Sequence, residues 1–87
     1  VKRTRQAKHK NLVGDRVRQA RLALHPRVSQ DDLSGRLASL GIQITQTGIS
    51  KLESRSRYVM DYEVVALAKA LKVSVWSLYG LEKSPSR

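Results

Sequence analysis

The chain has 87 residues and no cysteine, enough for one domain with a single modest core, and neither a disulfide framework nor a thiolate metal site is available to it. His9 and His25 lie in a basic tail and beside a proline, without a carboxylate at metal-ligand spacing, so no metal or other cofactor is expected, and seven scattered carboxylates make an enzyme unexpected. The net charge is +10 and uneven, with 13 basic and 4 acidic residues in 1–57 against 4 basic and 3 acidic in 58–87, which suits a polyanionic partner more than a merely solubilising surface.

Residues 1–11, VKRTRQAKHKN, hold five basic side chains, no acid and two apolar groups, which predicts a flexible basic arm. Asn11 is the expected cap of a first helix, in which Val13, Val17, Ala20 and Leu24 form one apolar stripe. His25-Pro26 ends it, because a residue before proline avoids the helical region. Ser29 caps a second helix, with Asp31 and Asp32 in its first turn, Leu33, Leu37 and Leu40 as its buried stripe and Gly41 as its stop. Gly35 inside this helix costs about 1 kcal/mol relative to alanine, and close approach of a neighbouring helix would account for it.

Ile42, Gln43 and Ile44 connect to Thr45, the cap of a third helix running to about Ser54. Only Ile49 and Leu52 are strongly apolar there; Gln46, Thr47, Gly48, Ser50, Lys51 and Ser54 are small or polar. A narrow apolar edge holds such a helix, and its outward groups match the donors and acceptors on base edges in a major groove. After the basic loop Arg55 to Tyr58, Asp61 is the expected cap of a fourth helix buried through Val64, Leu67, Ala68 and Leu71. Ser74 caps a short fifth helix with Val75, Trp76, Leu78 and Tyr79, closed by Gly80, and residues 82–87 are read as a frayed tail. Trp76 is expected in the core or a dimer interface. The whole is all-α, a compact bundle of about five helices over residues 12–81.

The segments VSQDDLSGRL, TQTGISKLESRSR and DYEVVALAKALKVSVWSLYG, in that order, resemble the Cro and phage-repressor type of helix-turn-helix domain, the XRE family, over roughly Leu12 to Leu81. The resemblance implies a lambda-repressor-like fold and a sequence-specific regulator of transcription, a repressor by expectation, that binds double-stranded DNA as a homodimer. It implies base contacts from Gln46, Thr47, Ser50 and Lys51. Phosphate contacts are implied for Ser29, Gln30, Thr45, Arg55, Arg57 and Tyr58, and an ion pair for Arg21 and Glu53. Glutamine can pair bidentately with adenine, lysine can donate to guanine, and a threonine methyl can touch thymine. The connection LASLGIQIT is longer than the family's turn, which predicts an extended second helix, and Ser54-Arg55 stands where the family commonly has asparagine-glycine.

A cytoplasmic location of bacterial or phage type, at the nucleoid, follows from the resemblance and from a basic, polar N-terminus with no apolar signal region. No small-molecule ligand is evident. A membrane partner lacks support, because no segment joins a basic face to a large apolar one. An antitoxin-like protein-interaction module on the same scaffold is the alternative. Binding of single-stranded RNA is disfavoured by the scarcity of aromatic residues near the basic region.

Overall fold

The valines and leucines spaced three and four apart meet in one core. Val17, Leu33, Leu37, Ile49, Leu52, Leu67, Leu71 and Leu78 are wholly buried, with Val13, Val28, Ile44 and Val64 beside them. In a computed structural model, which describes residues 9–81, these side chains come from five helices: α1 (Gly14–Ala23), α2 (Gln30–Ser39), α3 (Gln46–Glu53), α4 (Asp61–Leu71) and α5 (Val75–Leu78). No strand occurs among the described residues. The two helices α2 and α3 pack on each other, α1 lies against α3, α4 and α5, and α4 joins α2 to α5. Among the described residues no helix is long and apolar enough to cross a membrane.

Capping chemistry sets the starts. Ser29 Oγ accepts the Asp32 N–H at 2.9 Å while Asp32 Oδ2 accepts the Ser29 N–H at 3.0 Å, a reciprocal box that satisfies two helix-end donors. These bonds also hold the Asp32 carboxyl below its usual range. Thr45 Oγ1 accepts from Gly48 N–H at 3.1 Å, and Ser74 Oγ from Ser77 N–H at 2.9 Å. For α1 the cap position falls to Val13 and not to the expected Asn11, whose Oδ1 instead takes the N–H groups of Val13 and Gly14 from just before the helix. Asp61 is not the cap of α4. It is the first helical residue, and the cap position falls to Met60, whose N–H is taken by Glu63 Oε1 at 2.9 Å.

Left-handed residues set several stops. At Gly41 (φ +85°) the Gly41 N–H reaches Ala38 O and the Ile42 N–H reaches Leu37 O, closing α2 two residues earlier in a Schellman turn. The second helix is therefore not extended: the added length lies in the connection 40–45, pinned by Ser34 Oγ donating to Ile44 O at 2.7 Å and by the buried Ile44. Leu40 falls past the helix end and is 45% exposed instead of completing the stripe.

Two further expectations are corrected. Nothing approaches Gly35, so no close helix contact accounts for it. The close approach is at Gly14, where a Cβ would run into the Leu52 carbonyl oxygen of α3. Of the two places expected for Trp76, the core is excluded: it is 63% exposed, because α5 turns Leu78 inward and leaves Trp76 on its outer side. Residues 1–8 of the expected arm and the expected tail 82–87 lie outside the described residues.

Candidate nucleic-acid interface

Helix α3 has two unlike sides. At 3.6 residues per turn, Gln46, Ser50, Ser54, Thr47 and Lys51 fall within an arc of about 140°, and all five are exposed. Ile49 and Leu52 occupy the opposite side and are buried, as is Glu53 beside Gln46. Burial of Ile49 and Leu52 anchors the helix, so its outward groups are presented on a rigid element.

Glu53 lies at the border of the two sides, and the polar heart of the site is built on it. Arg21 Nε donates to Glu53 Oε2 at 2.7 Å and Arg21 Nη2 to Glu53 Oε1 at 2.9 Å, a two-pronged pair with both side chains more than 90% buried. Arg21 Nη1 donates to Val28 O at 3.0 Å, which ties α1 to the entry of α2. The Glu53 carboxylate raises the Arg21 pKa above its ordinary value and outweighs the opposing effect of burial. No buried side-chain nitrogen or oxygen among the described residues lacks a partner. The pair thus sits in a satisfied network, the condition under which a buried ion pair can be held at little net cost.

From this pair a chain of hydrogen bonds runs outward. Gln30 Nε2 donates to Glu53 Oε1 at 3.0 Å, and Gln46 Nε2 donates to Gln30 Oε1 at 2.7 Å. Its direction follows from chemistry. A carboxylate only accepts, so Gln30 must offer Glu53 its NH2 group; its oxygen then faces Gln46, which must answer with an NH2 of its own. Gln46 is left with its oxygen and one remaining N–H, the acceptor–donor pair that complements N6–H and N7 of adenine.

The flanking groups expected on phosphates are differently placed. Ser29 and Thr45 are exposed and spend their hydroxyls as caps. Gln30 is half-buried and belongs to the outward chain. Arg55 is half-buried, adopts a left-handed φ of +63° and lies 3.6 Å from Asp15. Tyr58 is 66% exposed, with Lys10 Nζ 5.2 Å from its ring centroid. Arg57 is held within the fold: it donates to Glu63 Oε1 and Oε2 at 3.1 and 3.3 Å and to Tyr58 O at 3.0 Å. Burial pushes the Glu63 carboxyl up, but the Arg57 hydrogen bond and the Met60 N–H outweigh it, and its pKa lies below the usual range.

Sequence reasoning missed the Gln30 bridge, the Arg57–Glu63 pair and the anchoring of residues 10 and 11. Lys10 N–H donates to Arg55 O at 2.9 Å, and the Asn11 amide donates to Leu52 O and Arg57 O. The only signal for the last was asparagine at a helix start, which suggests a cap and says nothing of a second helix. Among the described residues no group of three or more His, Cys, Asp or Glu could hold a metal ion. Comparison with protein families, with curated proteins and with solved structures finds no match to this chain.

Proposed function

We propose that the chain is a lambda-repressor-like helix-turn-helix domain that binds double-stranded DNA in a sequence-specific way, with α3 as the base-reading helix in a major groove. The observation that carries the reading is the hydrogen-bonded chain Arg21–Glu53–Gln30–Gln46, which fixes the orientation of an exposed amide on an otherwise small, polar helix face. A solvent-facing glutamine has no need of a buried ion pair to orient it, whereas a base-reading one gains by being ordered before binding. The net charge of +10, concentrated in residues 1–57, supports a polyanionic partner. Thr47, Ser50 and Lys51 complete the reading face, and Arg55 and Tyr58, with the caps Ser29 and Thr45, flank it as phosphate contacts.

On this reading the protein is a transcriptional regulator, a repressor by resemblance, that works as a homodimer in the cytoplasm, without cofactor or catalysis. A protein-interaction module is the second reading. The exposed apolar side chains Leu12, Trp76 and Leu81 favour it, because a partner chain would remove them from water.

Selection of bound sequences from a random duplex pool at two salt concentrations separates these readings. An enriched motif with two-fold symmetry and half-sites about one helical turn apart is the expected result. Salt-sensitive binding with no motif would sink the base-reading role.

A further inference from the structure

Both ends of α3 are fixed, and by different means. The bond from Gln46 to Gln30 ties the first turn to α2, while the last turn is held by Arg21 on Glu53 and, just beyond it, by Lys10 and Asn11. We infer that Asn11 is a positioning residue of the DNA interface, tying the start of α1 to the end of α3 and thereby setting where Arg55 and Tyr58 meet the phosphate backbone. The inference rests on the DNA-binding reading above and goes beyond it, since Asn11 touches no base-reading side chain.

The chemistry is specific to asparagine. A carboxamide offers two acceptor sites on its oxygen and two donors on its nitrogen, and here all four are used. Oδ1 accepts from Val13 N–H at 3.1 Å and Gly14 N–H at 2.8 Å; Nδ2 donates to Leu52 O at 3.1 Å and Arg57 O at 2.8 Å. Two backbone N–H groups on one side and two carbonyls on the other leave the amide a single orientation. Aspartate would set a carboxylate against those carbonyls, and serine would accept from the start of α1 without reaching them.

What Asn11 holds is a strained turn. Arg55 occupies the left-handed region, which residues with a Cβ rarely adopt, at the point where Arg55 N–H reaches Leu52 O and Ser56 N–H reaches Lys51 O. Its own carbonyl is taken by Lys10 N–H at 2.9 Å, and Lys10 Nζ lies over Tyr58. The close approach of Gly14 to Leu52 and Glu53 brings the two helices near enough for one short side chain to span them. A strained conformation persists only where its surroundings over-determine it, and such sites cluster at functional surfaces.

The test compares Asn11→Ser, which keeps an acceptor for the start of α1 and removes the bridge, with Val75→Ala on α5, which loosens packing far from α3 along the chain. Both are studied at a temperature where each is fully folded. Affinity for a duplex selected by the parent should fall about tenfold in Asn11→Ser, and its salt slope should drop by about one unit, as for a lost phosphate contact. Val75→Ala should keep both. Equal affinity and slope in the two variants would overturn the inference and leave Asn11 as an acceptor for the start of α1 alone. Amide exchange without DNA gives a second readout: the Ser56 N–H should exchange about tenfold faster in Asn11→Ser than in the parent. Unchanged protection there overturns the clamp whatever the DNA result, whereas a parent that binds no duplex, with faster exchange in the variant, removes the DNA-binding reading and leaves the clamp standing.

Discussion

At Arg55 stability and function pull apart. Its φ of +63° suits glycine, yet the turn carries an arginine beside the proposed reading helix. Arg55→Gly should raise stability by about 1 kcal/mol in a denaturant melt by removing the left-handed strain, and should lower duplex affinity with a shallower salt slope. Stabilisation without loss of affinity would show that Arg55 contacts no phosphate. Gln30 is the second telling residue. Gln30→Ala leaves Gln46 exposed but unoriented, so discrimination at one base position should weaken by about 1–3 kcal/mol while binding to random duplex changes little; a duplex competition series measures both. The resemblance implied a phosphate contact for Gln30 and gave no hint of a bond to Glu53. Its partner Glu53 lies 23 positions away, and no local pattern encodes a contact of that span.

For the helices, the legible features were those written in neighbouring residues. Ser29, Thr45 and Ser74 cap as their hydroxyls and positions imply, and Gly41 and Gly80 follow the last turns of α2 and α5 in the left-handed region. The unread features depend on what packs from elsewhere. Gly35 and Gly14 look alike in sequence, but one faces open space and the other the backbone of α3. Their alanine variants should therefore move in opposite directions. Gly35→Ala should stabilise by about 0.5–1 kcal/mol through lost backbone entropy, whereas Gly14→Ala should destabilise by about 1–3 kcal/mol, as overpacking does. Thermal melts of the two variants test this; the same sign for both would contradict the proposed α1–α3 contact. The connection after α2 misled for a related reason. Its length was visible, but only Ile44 dropping into the core and Ser34 holding its carbonyl show that the extra residues are loop.

Across the whole molecule, the polar groups that hold the bundle are set against acid. Glu63 and Asp32 both have lowered folded values, so the folded state keeps them ionised where the unfolded chain would take up protons. Their contribution is complete above the unfolded carboxylate range, about pH 4–4.5, and is lost as pH falls through the lowered values. Urea midpoints should thus hold steady from about pH 5 to 8 and fall below about pH 4, with a shallower acid limb in Glu63→Gln. An acid limb identical to the parent's would show that Glu63 adds nothing to the acid sensitivity. The all-helical class and the basic bias followed from spacing and composition. The candidate interface did so only in part: the resemblance named the Arg21–Glu53 pair, 32 positions apart, and the pair forms, but the Gln30 link from Glu53 to Gln46 is written in no local pattern.

If an oriented Gln46 on α3 reads a base, sequence selection from random duplexes with the parent and with Gln46→Ala will show it. The parent should enrich a motif with adenine at one position of each half-site, and Gln46→Ala should flatten that position while keeping the rest. An unchanged motif in the variant, or no motif in the parent, would contradict the base-reading role.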